Sequence, residues 1–170
     1  MRCIEWAGVR LFESFVEMPR GWATNLLEEF FKHQGSVEKS HKIAGRWENQ
    51  YLTIDHAPSA RIPMRFARNM GKDGLDISSM ILFEAPSGSP NPHPPFWFNV
   101  AGKGEKTGLH DHAHGSILSA VTYLQAEENC GHLYFRKEGF EDLTIKPEVG
   151  KIIIFPPSLL HGVHANHSST

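Results

Sequence analysis

"GLHDHAHGSILSAVTYL", residues 108–124, sets three histidines, His110, His112 and His114, at every second position ahead of an alternating, strand-like run. Side chains at i and i+2 of an extended chain point to the same side. His110 with His112, or His112 with His114, therefore offers two imidazoles to one point. A third comes from "GKIIIFPPSLLHGVHAN", residues 150–166, where His161 follows an apolar strand and a Pro-Pro turn. A pair in H-x-H spacing plus one distant histidine occupies one side of a metal ion and leaves its other positions open. Open positions mark a catalytic rather than a structural centre. Imidazole suits iron, zinc, copper or nickel, and the spacing does not choose among them.

Working outward, the second half of the chain has a uniform texture. After the loop "APSGSPNPHPP" come "FWFNV", "SILSAVTYLQ", "GHLYFR", "LTIKP" and "KIIIFPP", short aromatic and β-branched runs parted by Gly, Asn, Pro or Glu. That pattern predicts an antiparallel double sheet of the jelly-roll kind. The first half adds a strand in "GVRLFESF" and a helix in "RGWATNLLEEFFKHQ", with Trp22, Leu26 and Phe30 at helical spacing and Gly35 as its C-cap. The stretch from Gly45 to Leu75 is turn-rich, and its arginines, Arg46, Arg61, Arg65 and Arg68, read as a solvated face. Fold class is thus mainly β, with the N-terminal helix and strands packed on the sheets. Residues 1–90 form a support region and residues 91–170 the core of a single domain.

The chain has 170 residues and a net charge of −2, so it advertises no attraction to nucleic acid or to a membrane surface. Its two cysteines, Cys3 and Cys130, lack metal-pair spacing and read as reduced thiols of a cytoplasmic protein. The start, "MRCIEWAGVRLFESF", is broken by charges, unlike a signal peptide.

The ordered set Trp97, Asn99, Gly104, His110, His112, Ser119, Tyr123, Pro147, Gly150, Phe155, Pro156 and His161 resembles 2-oxoglutarate/Fe(II)-dependent oxygenases with a double-stranded β-helix. The match covers about residues 95–166. The resemblance implies Fe(II) on His110, His112 and His161, with 2-oxoglutarate and O2 as cosubstrates. The reaction is hydroxylation of a C–H bond in a small molecule or side chain. Where the usual triad has a carboxylate, this chain has His112. Ser119, Val121 and Tyr123 fall on one strand face, so Ser119 and Tyr123, with Asn99 on the neighbouring side, are the expected contacts of the cosubstrate's distal carboxylate. Trp97, Phe96 and Phe98 are expected in the core. The family also places an arginine on the strand after this segment. The sequence stops at "HSST" near that point, so a core lacking its last strand is expected. A cupin also fits Gly104 to His112 and Pro156 to His161 but lacks the expected glutamate and glycine. A β-sandwich binding module without metal is the non-enzymatic rival.

Overall fold

The computed structural model describes residues 1–170. Two four-stranded antiparallel sheets face each other. The first contains β1 (Arg2–Trp6), β2 (Val9–Phe15), β9 (Lys151–Phe155) and β6 (Ser119–Thr122), in the order β1-β2-β9-β6. The second contains β5 (Thr107–His110), β10 (Leu160–Val163), β7 (Leu133–Arg136) and β8 (Leu143–Ile145), in the order β5-β10-β7-β8. A separate hairpin of β3 (Glu38–Ile43) and β4 (Arg46–Tyr51) stands beside β5. Thus the N-terminal strands β1 and β2 are members of the first sheet and pair through β2 with β9.

β9 explains the layering. "KIIIF" is buried at every residue, as a strand covered on both faces should be. Ile152 and Ile154 join Phe12, Trp22, Leu26 and Phe30 in a core beneath the helices α1 (Trp22–Lys32) and α2 (Arg61–Leu75). Ile153 and Phe155 turn the other way and meet Leu133, Phe135 and Ile145 between the sheets. Alternation along one strand therefore divides the interior into a helix-side core and an inter-sheet core.

Several expectations are corrected. α1 ends at Lys32 with His33 as its C-cap, and Gly35 lies in a short 3-10 turn beyond it. "FWFNV" forms a single bridge, Phe98 to Gln50, in place of a strand. Residues 61–75 are helical, a feature disguised by Pro63, Gly71 and Gly74. Those residues suit the packing, because the buried side is small: Pro63, Ala67, Met70 and Gly71. Arg46 is no solvated residue. Its guanidinium bonds Glu48, Asn99 Oδ1, Thr107 Oγ1 and the carbonyls of Val100 and Lys106, tying the β3–β4 hairpin to the lead-in of β5.

Candidate metal centre

β10 lies between β5 and β7, and in that register His161 faces His110 on one side and Phe135 on the other. These side chains share one face of the sheet. Phe135 is fully buried between the sheets, so that face is the inner one. His161 is itself buried, its ring 4.8 Å from Phe155 across the interior. β5 stops at His110. His112 lies just beyond, where its amide donates to the Pro157 carbonyl at 2.7 Å. That bond clamps the H-x-H segment to the Pro-Pro turn leading into β10.

The three imidazoles form a compact triangle. Ring centroids are 4.4 Å apart for His110–His161, 4.9 Å for His110–His112 and 5.0 Å for His112–His161. Their ligand atoms lie within 4.8 Å of one another. Nδ1–H of His110 donates to the Gly108 carbonyl at 2.8 Å and Nδ1–H of His161 to the Leu159 carbonyl at 2.9 Å. A ring whose Nδ1 carries the proton keeps a lone pair on Nε2, so these bonds fix both the tautomer and the direction of the ligand atom. Burial pushes His161 down to about 4, with the neighbouring imidazoles His110 and His112 adding to the effect against the Leu159 carbonyl. Burial, then the charge of His110, likewise holds His112 below the usual histidine range. Neutral imidazoles are what a divalent ion requires of such ligands. His114 sits in an exposed turn outside the cluster, and it is His110 and His112 that come together with His161.

The other expected site residues are distributed unevenly. Ser119 is buried on β6 and pairs with Phe155, whose ring centroid lies 4.8 Å from that of His161. Tyr123 lies four residues further along, about 13 Å of extended chain. Its hydroxyl is buried without a hydrogen-bond partner, and burial raises the phenol above its ordinary value. The Asn99 amide is already engaged: Oδ1 accepts from Arg46 at 2.7 Å, and Nδ2 donates to the Glu48 carbonyl at 3.0 Å. Arg136 turns outward onto Asp142, as alternation with buried Leu133 and Phe135 requires.

Of the aromatic run, Phe98 is core, stacked on Phe30 at 4.4 Å, and Phe96 packs against the same cluster. Trp97 departs from expectation. It is 37 % exposed and its ring lies 5.2 Å from that of His112. Behind it stand Tyr51, 6.1 Å away, and His93, stacked on Tyr51 at 4.1 Å. Neither Tyr51 nor His93 was singled out by sequence reasoning, because the hairpin and loop that carry them meet only in three dimensions.

Fold and site together define a jelly-roll protein with a cluster of three histidines, able to hold a metal ion, at the inner face of one sheet. No protein-family model and no curated protein matches the sequence. Solved structures do match. A Pseudomonas putida prolyl-4-hydroxylase aligns with 93 % of this chain and 86 % of its own, at TM-score 0.59 and 13 % identity. A 2OG-Fe(II) oxygenase family oxidoreductase from Burkholderia pseudomallei aligns with 99 % and 87 %, at TM-score 0.58 and 14 % identity. A Trichoplax adhaerens prolyl hydroxylase, in complex with a hypoxia inducible factor peptide fragment, aligns with 93 % and 78 %, at TM-score 0.57 and 12 % identity. The chain shares their fold.

Proposed function

We propose that this protein is a non-haem Fe(II), 2-oxoglutarate-dependent oxygenase that hydroxylates a C–H bond of a small molecule or a side chain. The observation carrying this reading is the triangle of His110, His112 and His161, with two Nε2 atoms aimed by Nδ1–H···O=C bonds, on a fold shared with enzymes of that chemistry. The donor set fits a divalent transition ion. Three neutral imidazoles on one side leave the opposite side free for other ligands. When bound, Fe(II) with 2-oxoglutarate and O2 supplies the oxidising power. The chain supplies placement. His110, His112 and His161 hold the ion, and the Leu159 and Gly108 carbonyls hold the rings. Ser119 and Tyr123 donate hydrogen bonds to the distal carboxylate of the cosubstrate. We assign Asn99 to the hairpin anchor, since both ends of its amide are taken. Trp97 forms an apolar wall beside His112 that orients a substrate and excludes water.

We further propose that residues 1–90 support, and residues 91–170 carry, the chemistry of a single domain in the cytoplasm. Both cysteines are unpaired, and no helix is long and apolar enough to cross a membrane. A prolyl residue, on which two of the structural neighbours are named to act, is the first substrate to try. The test is anaerobic loading with Fe(II), then O2, ascorbate and 2-oxoglutarate, with succinate measured. Succinate that disappears in His161→Ala is the expected result. No succinate above a metal-free control would favour a cupin-type metal binder instead.

A further inference from the structure

Residues 76–97 run from the end of α2 to the bridge at Phe98 without a helix or strand of their own. Loops of that length within a compact domain are uncommon and usually serve function. This one is fastened at two points. Phe83 packs against the helix-side core, with the guanidinium groups of Arg61 and Arg65 over its ring at 5.5 and 5.7 Å. Further on, His93 lies flat on Tyr51, their centroids 4.1 Å apart and their planes within 4° of parallel.

The second fastening bears on the triad. Gln50 and Phe98 form an antiparallel bridge, exchanging amide bonds of 3.0 and 2.8 Å. One residue along on each segment, Tyr51 and Trp97 oppose each other and project away from the core that holds Phe98. Their rings are 6.1 Å apart, and the Trp97 ring is 5.2 Å from that of His112. His93, Tyr51, Trp97 and His112 are therefore one row of rings ending at the triad. Tyr51 is its firm member, buried, with its hydroxyl accepting from the Asn49 amide at 2.8 Å. Trp97 is its exposed member. Pro94 and Pro95 join His93 to Trp97 along the chain, and their fixed φ angles pass a displacement on rather than absorb it. The His93 ring is held by its face: its Nδ1 is buried without a hydrogen-bond partner, and the Glu38 carboxylate stands off at 3.5 Å.

We propose that His93 is a positioning residue. Stacked on Tyr51, it clips residues 76–97 to the β3–β4 hairpin and so sets the distance of the Trp97 ring from an ion held by His112. That distance is the room a substrate group has beside the ion. This consequence rests on the oxygenase reading, whereas the clip itself does not.

The experiment places fluorotryptophan in the whole chain and reads fluorine NMR, with Trp97→Phe identifying the Trp97 resonance among those of Trp6, Trp22 and Trp47. In metal-free His93→Ala the Trp97 resonance should move while that of buried Trp22 stays. Exchange of the Phe98 amide should quicken by about two- to tenfold, the worth of one lost aromatic stack. Added Mn(II) should broaden Trp97 in the natural protein and broaden it less in His93→Ala. His93→Phe, which keeps the flat ring and discards the unpartnered nitrogen, should restore all three readings. An unmoved Trp97 resonance with unchanged Phe98 exchange in His93→Ala overturns the proposal, as does a His93→Phe variant that behaves like His93→Ala. Mn(II) that broadens no resonance counts against the metal centre and leaves the clip to be decided by the two metal-free readings.

Discussion

The two chain segments that meet at the triad are built on opposite plans. His161 sits inside β10, paired on both sides, 4 % exposed, in a row with Phe135 and Phe155. His112 lies past the end of β5, an edge strand, with only the Pro157 bond and the Trp97 ring to hold it. One candidate ligand is a core residue, and the other is a loop residue fastened near it. Rigidity on one side and give on the other let a preformed pocket close on an ion without a large rearrangement.

That contrast can be broken at its rigid end first. With Mn(II) as the probe, read by electron paramagnetic resonance, His161→Ala should abolish binding at the triad and His110→Ala should reduce it severely. His114→Ala should leave it unchanged. A severe His114→Ala effect with a mild His110→Ala effect would show that the pair is His112/His114.

The fastening of the looser segment comes next. Arg46 bonds Glu48 at 2.7 Å, with Glu48 buried and the Arg46 side chain only 10 % exposed. Arg46→Ala leaves that carboxylate unpaired, and removing one partner of a buried pair costs about 3–5 kcal/mol. Thermal unfolding should shift downward accordingly, and hydrogen exchange at Thr107–His110 should quicken. Unaltered exchange there would mean that β5 does not depend on the hairpin.

Acid distinguishes the two ligands more gently. A histidine held at about 4 when folded and near 6.5 when unfolded is neutral in both states above pH 6.5 and contributes nothing there. As pH falls from 6.5 to 4 the unfolded chain binds the proton first, so His161 should remove about 3 kcal/mol of metal-free stability across that window. His112 acts in the same direction. His161→Phe should flatten the decline in denaturant titrations at pH 7, 5.5 and 4. An equally steep decline in that variant would place the acid sensitivity elsewhere.

The smallest effect concerns the cosubstrate. If Ser119 donates to a carboxylate, Ser119→Ala should cost about 1.5–3 kcal/mol, roughly ten- to hundredfold in the affinity of Mn(II)-loaded protein for 2-oxoglutarate. Calorimetric titration reads this directly. Unchanged affinity would remove Ser119 from the site and leave Tyr123 as the remaining hydroxyl.

What could be read from the sequence followed the same division. β9 and β10 were legible because an apolar run, a Pro-Pro turn and a histidine encode burial, a corner and a ligand in consecutive residues. The H-x-H pair was legible only as a choice of registers. The turn at residues 113–115, which carries His114 away, has no strong local signal. Trp97 was misplaced because an aromatic run between two apolar neighbours reads as core, and which ring faces the metal depends on the hairpin beside it. Arg46 was misread for a related reason. Its acceptors come from three separate stretches of chain, around residues 48, 99–100 and 105–107, and no local pattern announces them. The helix at residues 61–75 was hidden by its glycines and proline, residues that propensity penalises and close packing prefers.

Those helix glycines reach further than the fold. A Cβ at Gly74 would come within 2.9 Å of the Phe12 ring, and one at Gly71 within 3.0 Å of Leu118. Leu118 is the residue before Ser119. The helix is therefore a spacer whose thinness sets how deeply the strand bearing Ser119 can settle. Any thickening at position 71 presses on that strand from behind. Mutational drift on the charged side of the helix is free, while drift at this one backbone-only position is felt at the far side of the sheet. A screen for altered cosubstrate affinity would find Gly71, a residue that touches no ligand, among its hits.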